Sequence, residues 1–118
     1  MTDWSARTEI AVEVWALPED QLPAHVGEIV HGTIRDILHE VERQARARTV
    51  AVALTVAPGG LRLTVSEDGS GTGAEALETR LRGRRAELAA LGGSLTVNGV
   101  PGEGTTVSAA VPPKGLGR

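Results

Sequence analysis

The stretch that decides the fold is residues 65–73, which read Val-Ser-Glu-Asp-Gly-Ser-Gly-Thr-Gly. An apolar run, 61–65, leads into the carboxylates Glu67 and Asp68 and then into glycines at alternate positions. Alternate glycines allow positive φ angles and a close approach of the backbone to another group. A carboxylate beside bare backbone N–H groups suits a ligand with a donor at one end and an anion at the other, such as a purine nucleotide. The alternative is an ordinary polar turn between a strand and a helix, because short glycine motifs are weak signals.

The composition predicts one domain with an aliphatic core. The chain has 118 residues, of which 41% are hydrophobic, and a chain of this length buries about two-thirds of the surface that its unfolded form exposes. It has two tryptophans, no phenylalanine, no tyrosine and a formal net charge of −3. Nucleic-acid bases would find almost no aromatic side chains to stack on, and the charge disfavours phosphate backbones. We therefore expect no nucleic-acid partner.

The absence of certain residue types and sequence patterns excludes several kinds of site. The chain has no cysteine, which excludes disulfides, thiolate nucleophiles and cysteine-based zinc sites. It has no apolar run of about 18 residues, and its first residues lack the basic-then-apolar pattern of a signal peptide. We therefore expect a cytoplasmic chain whose sequence makes no membrane contact.

Outward from the acidic glycine stretch, the spacing of apolar residues predicts the secondary structure. Residues 8–17 alternate as in a half-buried strand, and residues 23–47 carry an apolar stripe at helical spacing. A β-hairpin is predicted from the β-branched segment 49–57, the Pro-Gly-Gly turn that follows it, and the apolar segment 61–66, which would form the antiparallel second strand. The remaining pattern predicts a helix in the second half of 74–91, interrupted at Gly83, a strand at 94–97, a turn at 98–104 and a last strand at 105–111.

This order of elements predicts an α+β fold. One mixed, mostly antiparallel sheet would be covered by helices on one face, which makes a two-layer α/β sandwich. We expect a single domain over residues 1–113. After the pair Pro112 and Pro113, residues 114–118 are expected to form a flexible tail.

Three segments in this order resemble the ATP-binding domain of sensor histidine kinases. They are the helix and strand at 29–52, the acidic glycine stretch at 63–71, and residues 81–111, which contain Leu-Gly-Gly-Ser-Leu-Thr-Val at 91–97 and Pro-Gly-Glu-Gly-Thr-Thr-Val at 101–107. Among the Bergerat-fold (GHKL) ATPases, the chain is most similar to the NarX/DesK type, and the resemblance covers nearly its whole length. The resemblance implies the Bergerat fold, with ATP and Mg²⁺ as cofactors.

Two carboxylates on the long helix take the family's catalytic and metal-binding positions. The family has a glutamate there and, four residues later, an asparagine that helps to hold Mg²⁺; these positions fall on Asp36 and Glu40. A spacing of four places both side chains on one helix face. The resemblance thus implies a catalytic role for Asp36, a cofactor-binding role for Glu40, and Mg²⁺ ligation by both. Glu40 replaces a neutral amide with a second anion, and the alternative interpretation is a solvated acidic helix face.

The acidic glycine stretch takes the family's adenine-binding position. Glu67 falls where the family has an aspartate that hydrogen-bonds the adenine amino group, and Asp68 would serve instead if the loop shifted by one residue. Gly69 and Gly71 match the glycines of the family's loop and are assigned to cofactor binding.

The family's second glycine box is mostly replaced. Gly83 remains, while Arg80 stands where a glycine normally precedes the leucine at position 81. Gly83 and Thr106, the second threonine of the Gly-Thr-Thr segment, join the implied cofactor-binding set. Four arginines in this region would donate to phosphate or form a solvated helix face, and these are Arg80, Arg82, Arg84 and Arg85.

These assignments leave three functions open. The first is an ATP-binding domain of a two-component histidine kinase that presents ATP to a histidine of another domain, with a His-bearing dimerisation domain or a response-regulator-type protein as partner. His31 and His39 are interpreted as surface residues, so transfer in cis is not expected. The second is a pseudo-ATPase that acts through protein–protein contacts. The third is an anti-sigma-factor-like serine kinase. The departures at Glu40, Glu67 and Arg80 predict weakened nucleotide binding.

Overall fold

A computed structural model describes residues 11–14, 23–44, 49–69 and 73–117. The predicted end of the first strand and the last residues predicted for the long helix lie outside the described residues. Within these ranges the chain forms, in order, β1 (Ala11–Val14), α1 (Ala24–Gln44), β2 (Thr49–Ala57), β3 (Gly60–Glu67), α2 (Ala74–Arg80), α3 (Arg82–Ala90), β4 (Ser94–Val100), β5 (Gly104–Val111) and a 3₁₀ helix (Pro113–Leu116).

The described strands form one five-stranded sheet in the order β1-β2-β3-β5-β4. β1 runs parallel to β2, and every other neighbouring pair is antiparallel. A parallel pair needs a crossover, and α1 lies within that connection. The predicted mixed, mostly antiparallel sheet is confirmed.

The described helices pack against one face of the sheet, and the other face is called the open face because none of them covers it. Side chains alternate between the two faces of a strand, so a row of directly paired residues shares one face. One such row, Val52, Val65 and Val107, is almost completely buried beneath the helices. The next row, Ala53, Thr64, Ser108 and Thr96, consists of small and polar side chains on the opposite, open face. The predicted two-layer α/β sandwich is therefore confirmed.

The helices contribute the other half of the core. α1 buries one apolar stripe, as its spacing predicted, and α2 and α3 contribute leucines. Thr33 is the polar member of the α1 stripe, and its hydroxyl donates to the carbonyl of Ile29 at 2.7 Å, so its burial leaves no unsatisfied donor. No helix in the described ranges is long and apolar enough to cross a membrane. The buried hydrophobic residues of these helices are Val26, Ile29, Val30, Ile34, Ile37, Leu38, Val41, Leu77 and Leu88.

The segment 74–91 is predicted to be helical in its second half, but it is helical from Ala74 and is divided at Leu81 into α2 and α3. Leu81 has φ −91° and ψ 5°, and its side chain is completely buried. Its N–H donates to the carbonyl of Leu77 at 2.8 Å, and its carbonyl accepts from the N–H of Arg85 at 2.8 Å. The sequence placed the interruption at Gly83, which instead lies inside α3. The break therefore occurs at a core leucine and not at the glycine.

The β4–β5 hairpin extends further than the sequence indicated. A turn was expected from residue 98, but β4 continues to Val100 and pairs with β5 without interruption from Ser94–Ala110 to Val100–Gly104. The turn is limited to residues 101–103. The Asn-Gly pair that signalled a turn is thus accommodated within an edge strand.

Residues 114–117, which the sequence predicts to belong to a flexible tail, lie within the described residues. Pro113–Leu116 forms a 3₁₀ helix after β5, and the Leu116 side chain is only 4% exposed. Burying one leucine stabilises the folded state by roughly 2 kcal/mol, which offsets the entropy lost by ordering a short segment. The tail packs down because it carries that one apolar residue.

Candidate functional site

Two carboxylates on α1 meet two arginines from the neighbouring helices. Asp36 accepts a hydrogen bond from Nε of Arg84 at 3.0 Å, and Glu40 lies 3.7 Å from Nη1 of Arg80. Asp36 and Glu40 are one turn apart on α1, while Arg80 and Arg84 are one turn apart across the α2–α3 junction. The two contacts therefore form an antiparallel ion-pair ladder, Asp36–Arg84 and Glu40–Arg80, between the helices.

The two rungs of the ion-pair ladder differ in burial. The Glu40 side chain is 5% exposed, and that of its partner Arg80 is 31% exposed. Asp36 and Arg84 are 27% and 28% exposed. A buried carboxylate is costly unless a positive charge or hydrogen-bond donors compensate it, so the Glu40–Arg80 rung has the larger effect on stability. Glu40 is thus a core residue of the interhelical contact and not part of a solvated face.

Arg84 lies at the centre of a small charge network. Besides Asp36, it contacts Glu87 on α3 at 3.0 Å. The hydrogen bond to Asp36 raises the pKa of the Arg84 guanidinium above its ordinary value, burial opposes this rise, and Glu87 adds to it. A guanidinium is protonated at physiological pH in any case, so Asp36 faces a full positive charge in this arrangement.

The arginines of the ion-pair ladder affect whether Asp36 and Glu40 could bind Mg²⁺. Mg²⁺ prefers near-octahedral oxygen coordination and repels neighbouring cations. Both candidate carboxylates face guanidinium groups, whose positive charges would lie beside any Mg²⁺ bound there. With the arginines in these positions, the donor set does not suit Mg²⁺, although Asp36 and Glu40 do share one helix face as predicted.

Glu67 lies on the helix-covered face at the end of β3. It pairs with Val50 on β2 and with Thr105 on β5, and its carboxylate accepts a hydrogen bond from the N–H of Gly69 at 2.6 Å. Thr105 is 3% exposed, so the residue beside Glu67 on the covered face is this threonine. Sequence reasoning chose Thr106 instead. Counting alternate residues back from the buried Val107 would have selected Thr105.

Asp68 and Thr106 lie on the open face of the sheet. The Asp68 carboxylate accepts two hydrogen bonds from Thr49, from its N–H and its hydroxyl, both at 2.9 Å. Thr106 is paired with Ser66, and their hydroxyls are 3.3 Å apart. By the alternation of the strand, the side chains of Asp68 and Thr106 start on the face opposite that of Glu67. All three residues nevertheless border one cavity of about 310 Å³, together with Thr49, Ser66, Asn98 and Glu103.

The two hydrogen bonds of Asp68 give the first prediction. Replacing Asp68 with alanine is expected to lower the free energy of unfolding by about 1 kcal/mol, because both bonds to Thr49 are lost from an exposed position. A thermal melt of the protein without ligand measures this change. Asp68→Asn is the matched control, because its amide oxygen still accepts one of the two bonds. A melting temperature of Asp68→Ala equal to that of the unaltered chain would show that Asp68 does not anchor β2.

The remaining predicted site residues have mixed positions. Gly69 is buried and donates to Glu67, whereas Gly71 lies outside the described residues. Gly83 is exposed on α3, and a side chain there would meet nothing within 4 Å, so no close approach requires that glycine. Arg85 donates to the carbonyl of Leu95 at 3.2 Å. Three further predicted surface residues are exposed, namely Arg82, His31 and His39.

Known proteins similar to this chain are histidine kinases. The chain is 25% identical over 103 residues to the sensor histidine kinase YxjM of Bacillus subtilis, a match that covers 87% of this chain and 25% of YxjM. The chain therefore spans about a quarter of the length of that relative. No protein-family model matches the chain.

Solved structures give the same result for the fold. The histidine kinase domain of the blue-light activated histidine kinase EL346 of Erythrobacter litoralis superposes with a TM-score of 0.72 at 21% identity, over 94% of this chain and 56% of that one. The ATP-binding domain of PrrB from Mycobacterium tuberculosis gives 0.69 at 16% identity, over 94% and 86%. The chain thus has the fold of a histidine-kinase ATP-binding domain, and the resemblance to GHKL histidine-kinase ATPases is confirmed.

Proposed function

We propose that this chain is a histidine-kinase-type ATPase domain in which nucleotide binding is weakened by its own arginines. The observation that carries the proposal is the ion-pair ladder. At the two α1 positions where the family handles metal and water, this chain has carboxylates that are already paired with Arg84 and Arg80. A metal–nucleotide complex would have to break the rung of each carboxylate that it used.

Two of the departures from the family pattern are the two partners of one contact. Glu40 stands in place of an asparagine and Arg80 in place of a glycine, and they lie 3.7 Å apart. A nearly buried carboxylate and a partly buried guanidinium are each costly, and their opposite charges offset part of that cost. Together they form a rung of the ladder at the position where the family needs a neutral amide and open space. This pairing favours weakened binding over an intact site with isolated defects.

The compartment, the pathway and the partner of the domain are inferred from the same resemblance. We place it in the cytoplasm, in a two-component pathway, with a His-bearing dimerisation domain or a response-regulator-type protein as partner. If ATP is still bound, the reaction is phosphoryl transfer to a histidine of another domain, with Asp36 and Glu67 as the carboxylates that act on water and adenine. If it is not, the domain acts as a pseudo-ATPase binding module. An anti-sigma-factor-like serine kinase would need the same metal positions, so the ladder counts equally against it.

A thermal melt with ATP and Mg²⁺ tests the proposal. For the unaltered chain we expect a shift below about 1 °C at millimolar nucleotide. For the double variant Glu40→Asn/Arg80→Ala, which removes a whole rung and returns the amide, we expect a shift of several degrees. A ligand at about 10 times its Kd stabilises by roughly 1.4 kcal/mol, and this corresponds to a shift of several degrees in a domain of this length.

Two controls make the result specific. Arg82→Ala removes a charge from the exposed side of α3 and is expected to leave the nucleotide response unchanged. Replacing ATP with GTP tests whether the base is recognised. A shift of several degrees in the unaltered chain would contradict weakened binding and restore the kinase interpretation. The absence of any shift in the double variant would mean that the Glu40–Arg80 rung is not what prevents binding.

A further inference from the structure

The other rung of the ladder depends on a glycine inside α1. Gly32 lies one turn before Asp36 and has a buried position beneath the end of the Arg84 side chain. A Cβ atom at position 32 would lie 2.5 Å from the central guanidinium carbon of Arg84, closer than such atoms approach. In its present position, with Nε 3.0 Å from Asp36, the Arg84 guanidinium occupies the space that a side chain at position 32 would take, so any side chain there would have to displace it.

Glycine in the middle of a helix is normally a disadvantage. It costs roughly 0.5–1 kcal/mol relative to alanine, because the unfolded chain loses more conformational freedom. α1 contains a second glycine, Gly27, whose added Cβ would meet nothing within 4 Å. Gly27 lies in the first turn of α1 and is half-buried, whereas Gly32 lies in the helix interior, is buried and has the end of a side chain from another helix over it. The contact at Gly32 accounts for its lack of a side chain.

We propose that Gly32 and Arg84 form an autoinhibitory latch, in which the guanidinium lies on Gly32 and covers Asp36. This inference rests on the proposed function, because it assigns a regulatory role to one rung of the ladder. Arg84 also lines an open cavity of about 530 Å³ beside α1, together with His31 and Arg35. That space lets the guanidinium move off Asp36 while α3 stays in place. Opening the latch exposes the carboxylate that the closed latch covers.

A pair of glycine substitutions tests whether the latch contact exists. Gly27→Ala is expected to raise the melting temperature by a few degrees through helix propensity alone. Gly32→Ala has the same propensity gain but displaces Arg84 from Asp36, so we expect no rise or a small fall. In an Arg84→Gln background there is no guanidinium to displace, and Gly32→Ala should then raise the melting temperature as Gly27→Ala does. Equal rises for both glycines with Arg84 present would overturn the proposal.

A nucleotide measurement tests whether the contact is inhibitory. In the Glu40→Asn/Arg80→Ala background, adding Gly32→Ala is expected to enlarge the shift produced by ATP and Mg²⁺, since Asp36 is uncovered as well. A merely structural contact would leave that shift the same or smaller, which would overturn the latch. If the background itself shows no nucleotide shift, the proposed function fails, while the glycine comparison, which needs no nucleotide, still decides whether Arg84 is held on Gly32.

Discussion

Replacing Arg80 with alanine is expected to lower the free energy of unfolding by about 2–3 kcal/mol, a fall in melting temperature of roughly 10 °C. Arg80 is the cation that lies 3.7 Å from Glu40, whose side chain is only 5% exposed. Without the guanidinium, the charge of that carboxylate is less well compensated in a position that water hardly reaches. The penalty for a poorly compensated buried charge is larger than the net gain from the intact pair, so the loss exceeds that of a surface ion pair.

A double-mutant cycle identifies the cause of this loss. Glu40→Asn in the Arg80→Ala background is expected to recover most of the stability, because the buried charge has gone with its partner. Arg82→Ala, on the exposed side of α3, is the matched control and should change stability by less than about 0.5 kcal/mol. Chemical denaturation of the four proteins measures the coupling. Additive effects of the two substitutions would mean that Arg80 and Glu40 do not stabilise one another.

Replacing Gly104 with alanine is expected to lower the free energy of unfolding by about 3 kcal/mol or more, and to disturb the end of β3 where Glu67 lies. Gly104 has φ +116°, a conformation that residues with a side chain rarely adopt. A Cβ atom there would overlap the carbonyl oxygen of Glu67 and touch the backbone of Asp68. Backbone atoms in a paired strand cannot move aside as the end of a long side chain can. Strain and overlap therefore add at this position.

Gly102 provides a matched comparison on the same hairpin. Its φ is +82°, but an added Cβ would meet nothing within 4 Å. Gly102→Ala should therefore cost only the conformational strain, about 1–2 kcal/mol. Denaturation melts of the two variants measure the difference, and amide exchange at Glu67 and Asp68 shows whether the acidic loop is loosened. Equal costs for the two substitutions would show that the close approach of β5 to Glu67 does not constrain the loop.

The same glycine links the stability of the domain to its candidate site. Glu67 and Thr105 pair on the covered face one residue after Gly104, so any shift of β5 also moves the threonine beside the carboxylate. We therefore expect the Gly104 substitution to change the site geometry even if the chain folds. The substitution at Arg80, by contrast, changes charge at the interhelical contact and leaves the β3–β5 register as it is.

The order of the helices and strands and the two-layer α/β sandwich could be predicted from the amino-acid sequence. The apolar stripe of residues 26–41 and the alternation on either side of the Pro-Gly-Gly turn are local patterns, because the periods of helices and strands are read within a few residues. The acidic glycine stretch at 65–73 and the turns that follow it were sufficient for the histidine-kinase resemblance. Asp36 and Glu40 were placed on one helix face by their spacing of four.

The contacts of Asp36 and Glu40 became known from the tertiary structure alone. Arg80 and Arg84 lie about 40 residues or more from Glu40 and Asp36 in the chain, so no local pattern pairs them. Which of Thr105 and Thr106 lies on the covered face depends on the strand register. A register shift of one residue would move each side chain to the opposite face of the sheet. The packed tail depends on whether the core has room for Leu116. Local spacing determines on which face of a helix or strand a side chain lies. The packing of segments distant in sequence determines which charges and how much free volume surround it.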